Sequence, residues 1–166
     1  MRWVVVSRQK LELVPNGVDE FFTPGDGLEG DYILYAGTIE PRKGLDILIS
    51  AWQSLPEPHP RLVLCGSEGW RVPVPEGVER TGYVDRTRLR DLYRGALLFV
   101  YPSRCEGFGM PPLEALACGA PVIATRTGAI PDFAGDAAIV VEPGDGNQLR
   151  EAMVRENMTA TMVEAS

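Results

Sequence analysis

Apolar and polar residues fall in alternating blocks along this chain. Runs of four or five mostly apolar residues recur at Tyr32–Ala36, Arg61–Cys65, Leu97–Tyr101, Pro121–Ala124 and Ala138–Val141. Near-continuous runs of this kind, short and poor in charge, predict strands buried on both faces. Between them apolar residues return every three or four positions: Leu45, Leu48, Ile49 and Trp52; Leu89, Leu92 and Tyr93; Leu113, Leu116 and Ala117; Leu149, Ala152 and Met153. That spacing puts each set on one face of a helix. Strand and helix in alternation predict an α/β fold with a Rossmann-like, doubly wound parallel sheet in three α/β/α layers. Ligands of such sheets bind outside the carboxyl ends of the strands. The loops to search are therefore Gly37–Lys43, Gly66–Trp70, Gly82–Asp85, Pro102–Pro112 and Thr125–Pro131. Residues 1–30 hold a strand-like Trp3–Val6, but Pro15-Asn16-Gly17-Val18 and Pro24-Gly25-Asp26-Gly27 are turn chemistry. They read as a linker, and the domain is expected over residues 31–166.

Composition narrows the possibilities. At 166 residues and 45% hydrophobic content the chain can build one ordinary core, and it carries no internal repeat. A net charge of −7 excludes a long nucleic-acid footprint, so any anion site must be local. Cys65, Cys105 and Cys118 are odd in number and form no CxxC pair, which predicts neither disulfides nor a zinc site and suits a reducing, cytoplasmic setting. No run approaches the roughly 18 apolar residues of a membrane span.

Several short motifs dissolve on inspection. Gly25-Asp26-Gly27-Leu28-Glu29-Gly30 matches a dinucleotide-binding pattern, but it precedes a strand where that motif must follow one. Cys65-Gly66-Ser67-Glu68-Gly69 lacks the first glycine of a nucleophile elbow. His59, between Pro58 and Pro60 ahead of a strand, reads as loop surface.

The stretch Ser103 to Glu114 carries more. It joins a predicted strand to a helix that Pro111 and Pro112 are suited to begin. Amides of Gly107–Met110 and the positive end of the helix make an anion or hydroxyl site, and Glu106 and Glu114 can accept hydrogen bonds from sugar hydroxyls. The plainer alternative makes Glu114 a first-turn complement to the helix dipole and Glu106 a solvated charge. Chemistry alone supports both equally. Arg42 and Lys43 follow the first predicted strand, where a diphosphate could lie, although two adjacent cations in a loop are more often solvated surface unless another element completes a phosphate site.

Together these segments resemble the carboxyl-terminal, nucleotide-sugar-binding domain of the group 1 (family 4) retaining glycosyltransferases, the C-terminal half of the GT-B fold. The resemblance rests on the glutamate, seven residues, glutamate spacing of Glu106 and Glu114 and on the run from Gly107 to Ala124. Pro15–Asp19 resembles the family's interdomain linker, Gly37–Gly44 its phosphate loop and Gly82-Tyr83-Val84 its base-side loop, so the likeness covers about Val14 to Arg150.

The resemblance implies that Glu114 binds ribose hydroxyls, and that Glu106 with the amides of Gly107, Phe108, Gly109 and Met110 holds the donor sugar. Lys43, with Arg42, neutralises the departing diphosphate. Gly37, Thr38, Gly66 and Leu113 lie along the donor, and Tyr83 and Val84 line the base pocket. Many family members have arginine where this chain has Thr38. No cofactor and no metal are expected; the partner is a UDP-, GDP- or ADP-sugar from which a hexosyl unit is transferred. The family's acceptor domain, with any peripheral membrane association it confers, has no counterpart in Met1–Val14, and Met153–Ser166 is short for the family's terminal helix. The chain by itself is therefore expected to bind donor and transfer little or no sugar. The alternatives are a non-catalytic nucleotide-binding module or a subunit of a split enzyme; a nucleotide-sugar epimerase fits the Glu106–Glu114 region less well.

Overall fold

The computed structural model describes residues 9, 12, 14–25, 30–70 and 73–164. The strand-like Trp3–Val6 and the middle of the discarded glycine motif, residues 26–29, lie outside them. Six parallel strands, β1 (Tyr32–Ala36), β2 (Arg61–Cys65), β3 (Val78–Gly82), β4 (Leu98–Tyr101), β5 (Val122–Thr125) and β6 (Ile139–Val141), form one sheet in the order β3-β2-β1-β4-β5-β6. The helices are α1 (Leu45–Gln53), α2 (Arg86–Gly95), α3 (Met110–Ala117), the short α4 (Ile130–Ala134) and α5 (Gly146–Glu164). α1 packs against α5 and α2 against α3, one pair for each face of the sheet. The doubly wound reading of the apolar pattern therefore stands.

Five strands lie within a residue of their predicted positions. β3 has no counterpart in the pattern, because Val-Glu-Arg-Thr-Gly at the sheet edge leaves Glu79 and Arg80 exposed and offers no apolar run. The connection from β2 to β3 also differs from its neighbours, since no helix forms between them among the described residues. There Val74 packs against the core, and Gly77 lies against the Trp52 ring, where a Cβ would stand 3.3 Å away. Trp52 also explains His59, which is not loop surface. The imidazole packs edge-on against the indole with centroids 4.8 Å apart, and its side chain is only 11% exposed.

The segment read as a linker is bound to the domain from Asp19 to Pro24. Phe22 is buried against Tyr93. Three arginines spaced one turn apart on α2 hold the rest: Arg86 pairs with Asp19 at 2.7 Å, Arg90 stacks over Phe21, and Arg94 donates to the Thr23 carbonyl and hydroxyl at 2.8 Å.

Chain direction reverses between β1 and β4: from β1 the chain winds outward through β2 and β3, and from β4 through β5 and β6. The loops leaving these two central strands meet at the carboxyl edge, the place where ligands of doubly wound sheets bind. Close backbone approaches fix those loops. Gly44, with φ of 69°, has no room for a side chain, since a Cβ would stand 2.1 Å from the Pro102 carbonyl oxygen. The Arg104 amide donates to the Arg42 carbonyl at 2.8 Å, tying the β4 loop to the β1 loop. Gly44→Ala is expected to destabilise the fold by about 2 kcal/mol, read as a thermal midpoint roughly 4–8 °C lower. Gly17→Ala, where nothing lies within 4 Å, should leave the midpoint unchanged.

Candidate active site

The chain supplies its chemistry where the β1 and β4 loops meet. After β1, a single 3-10 turn over Pro41–Lys43 places Lys43 inward and Arg42 outward. Lys43 is 7% exposed, so it is not a solvated surface cation. Its ammonium donates to Glu106 Oε1 at 2.5 Å and to the Tyr101 hydroxyl at 2.8 Å, across a sequence gap of some sixty residues. Ser103 Oγ donates to the same carboxylate oxygen at 2.6 Å, and the Tyr101 hydroxyl does so at 3.0 Å. Arg42 is half exposed and pairs with Glu40 at 2.6 Å, with Glu106 Oε1 3.8 Å away. Burial pushes the Glu106 carboxyl up, but hydrogen bonds from Lys43 and Ser103, the Lys43 charge and the Tyr101 hydroxyl outweigh it and hold the group below the ordinary carboxylate range.

Glu114 is the electrostatic opposite. It sits on the second turn of α3, with no acid in the first turn, which removes the dipole-complement alternative. Its Oε2 accepts from the buried Tyr93 hydroxyl at 3.1 Å. Burial raises its pKa, and the Tyr93 hydrogen bond and the Arg86 charge only partly offset that. A half-buried carboxylate with no ion pair among the described residues gains by meeting new hydrogen-bond donors.

Between the two glutamates lies a row of unused amides. Gly109, in the left-handed region with φ of 94°, precedes α3, and no side chain caps that helix. Pro111 and Pro112 bring no N–H to its first turn. The N–H groups of Gly107, Phe108, Gly109 and Met110 donate to no acceptor among the described residues. Gly107 is exposed with nothing within 4 Å of a built Cβ. The Phe108 ring stacks on Phe133 at 5.2 Å, and Leu113 is half-buried.

The remaining expected residues lie further along the same edge. Gly37 follows β1 and donates to the Cys65 carbonyl, while Thr38 is exposed. A Cβ on Gly66 would stand 2.0 Å from the Gly37 carbonyl oxygen, so contact between the two loops already demands glycine there. Val84 packs against the core, and Tyr83 is 80% exposed. The sequence reading passed over Tyr101, Ser103 and Tyr93, whose hydroxyls hold the two glutamates. Tyr93 and Tyr101 were counted only as apolar positions of a helix and a strand, yet a buried tyrosine hydroxyl needs a partner, and that was the available signal.

Lys43→Met should cost about 3 kcal/mol, because it strands a buried carboxylate; Lys43→Met with Glu106→Gln should recover most of that in chemical denaturation. The two glutamates contribute to stability with opposite pH signs. Glu106, with its pKa lowered, contributes stability that is present above the ordinary carboxylate pKa and lost as pH falls through its folded value. Glu114, with its pKa raised, contributes stability that is present below the ordinary value and lost as pH rises through its folded value. Glu114→Gln should therefore exceed the wild type in thermal midpoint near neutral pH, with the gap closing below about pH 4.

The family model for group 1 glycosyl transferases matches residues 30–156. The O-antigen chain mannosyltransferase B of Escherichia coli is 43% identical over an alignment of 127 positions that covers 69% of this chain and 33% of that protein. The chain spans about a third of the length of the curated relatives it matches. Sucrose-phosphate synthase from Thermosynechococcus elongatus superposes with a TM-score of 0.77 at 28% identity, over 89% of this chain and 43% of that one. The C-terminal domain of a group 1 glycosyl transferase family protein from Francisella tularensis superposes with a TM-score of 0.69 at 25% identity, over 87% of this chain and 88% of that one. The chain thus belongs to the group 1 glycosyl transferases, and its sheet has the Rossmann-like form of their GT-B domains.

Proposed function

We propose that this chain is the donor-binding domain of a retaining hexosyltransferase, taking a UDP-, GDP- or ADP-sugar where the β1 and β4 loops meet. The observation that carries the reading is the Lys43–Glu106 pair beside four amides with no acceptor among the described residues, all at the reversal point of a doubly wound sheet. In this reading the Gly107–Met110 amides and Arg42 meet the diphosphate, whose charge grows as the sugar departs. Lys43 adds a fixed positive charge behind them. Glu106, kept ionised, accepts from a hydroxyl of the donor sugar, and Glu114 accepts from the ribose diol. Gly37, Thr38 and Gly66 lie along the donor, with Tyr83 and Val84 toward the base. The departing diphosphate is stabilised by these cations and amides, and the acceptor attacks an oxocarbenium-like sugar from the leaving-group face.

The acceptor site belongs to an amino-terminal partner domain, so the chain alone binds donor and turns over little. An Anabaena protein of the same fold, 21% identical with a TM-score of 0.70, is known in complex with UDP-glucose, which supports a nucleotide sugar as the ligand class. Titration calorimetry with UDP, GDP and ADP and their glucose and mannose derivatives tests the reading. One base is expected to bind, with Arg42→Ala and Glu114→Gln each weakening it by about tenfold. Absence of heat with every one of them would overturn it. Because Glu114→Gln is expected to stabilise the free protein, weaker binding by that variant cannot be put down to unfolding.

A further inference from the structure

The two oxygens of Glu106 are used unequally. Oε1 takes all the polar contacts that the described residues make with this carboxylate: Lys43 at 2.5 Å, Ser103 at 2.6 Å, Tyr101 at 3.0 Å and Arg42 at 3.8 Å. Oε2 has no partner among the described residues. Proton accounting fixes the direction of each bond. Lys43 donates to both Glu106 and the Tyr101 oxygen, so the one Tyr101 proton is left for Oε1. Ser103 also has one proton, with the carbonyls of Arg42 and Cys105 at 3.2 Å and Oε1 at 2.6 Å. The carboxylate is both the closest and the only charged acceptor.

Neither hydroxyl is free to move. The Tyr101 ring is buried and stacks on Tyr35 and on Phe99, each at 6.1 Å. Ser103 is fully buried, and its carbonyl accepts from the Thr125 hydroxyl.

We propose, on the basis of the donor-binding reading above, that Tyr101 and Ser103 are positioning residues. With Lys43 they fill Oε1 of Glu106 and fix the plane of the carboxylate, which reserves Oε2 for a hydroxyl of the bound sugar. A glutamate otherwise loses rotamer freedom on meeting a ligand. Pinned at one oxygen, it has met that cost in folding, and the sugar hydroxyl finds an acceptor already in place. With three donors on Oε1 the group stays ionised, so Oε2 accepts a proton contact and does not give one. Selection at this point falls on ligands that present a hydroxyl, and the nucleoside diphosphate alone gains nothing from it.

The test uses Tyr101→Phe and Ser103→Ala in the full chain; each deletes one oxygen and adds no bulk. The first measurement needs no ligand: the pH titration of the Glu106 side-chain carboxyl by carbon NMR, assigned with Glu106→Gln. Both variants are expected to titrate at higher pH than the wild type, since each removes a donor to the ionised form. The second compares UDP with UDP-glucose, GDP with GDP-mannose and ADP with ADP-glucose. For the pair that binds, both variants should lose about five- to tenfold in affinity for the sugar nucleotide and stay within about twofold of wild type for the diphosphate. The sugar-nucleotide loss should grow as pH is lowered toward the carboxyl midpoint.

An unshifted Glu106 titration in both variants overturns the proposal. So does equal weakening of sugar nucleotide and diphosphate, which is the mark of a merely structural role. If Tyr101→Phe does not fold, Ser103→Ala decides alone by the same two readouts. Failure of the wild type to bind any of the UDP, GDP and ADP ligands would overturn the donor-binding reading, while the carboxyl titration would still show whether the two hydroxyls hold Glu106.

Discussion

A buried ammonium and a half-buried carboxylate meeting at the carboxyl edge of a sheet must satisfy each other, and much of this domain is arranged to let them. Shielded from water as they are, each charge alone would carry a desolvation penalty; together, with two hydroxyls on the same oxygen, they form a polar cluster where the β1 and β4 loops meet. Lys43 and Glu106 lie on loops that only the sheet order makes neighbours. Their meeting depends on backbone contacts too close for any side chain, between Gly44 and Pro102 and between Gly128 and the Gly107 carbonyl. The pair thus registers whether the β1 loop, the β4 loop and the β5 loop are all seated.

The same strand and helix hold two acids in contrary environments. Glu106 has three donors gathered on one oxygen, and Glu114 has a single tyrosine hydroxyl. The first is settled in the unliganded protein, and the second is left in want of hydrogen bonds. Sites often separate the roles of like residues in this way, by surroundings and not by residue type. Here the separation is made by tyrosines, Tyr101 from β4 and Tyr93 from α2, each buried and each giving its only proton to a glutamate. α2 also clasps residues 19–24 through Arg86 and Arg94, so the helix that supports Glu114 fixes the segment by which the chain enters the domain.

Much of the fold was legible because burial on both faces writes itself as unbroken apolar runs, and five strands announced themselves that way. β3 did not, since an edge strand need not be apolar, and neither the missing crossover helix nor the docking of Phe22 under an otherwise turn-rich segment had a periodic signature. At the site, Glu106, Glu114, Arg42 and Lys43 could be picked out by residue type and loop position. That Lys43 turns inward and Arg42 outward depends on a single 3-10 turn, which spacing does not encode. The partner hydroxyls were harder still: a tyrosine in a hydrophobic run counts as apolar until its neighbour across the sheet is known. His59 shows the converse, a polar residue between prolines that a nearby indole draws out of solvent.

The polar edge at β3 bears on how molecules of this protein meet one another. Glu79 is engaged by Arg61 at 2.9 Å, and Arg80 pairs with Glu68 at 2.8 Å. A strand from a second copy adding to this margin would have to strip water from charges that are already matched, and its own backbone could not repay them. The polarity that hid β3 from the hydrophobic pattern thus works against edge-to-edge pairing of a second strand along that margin.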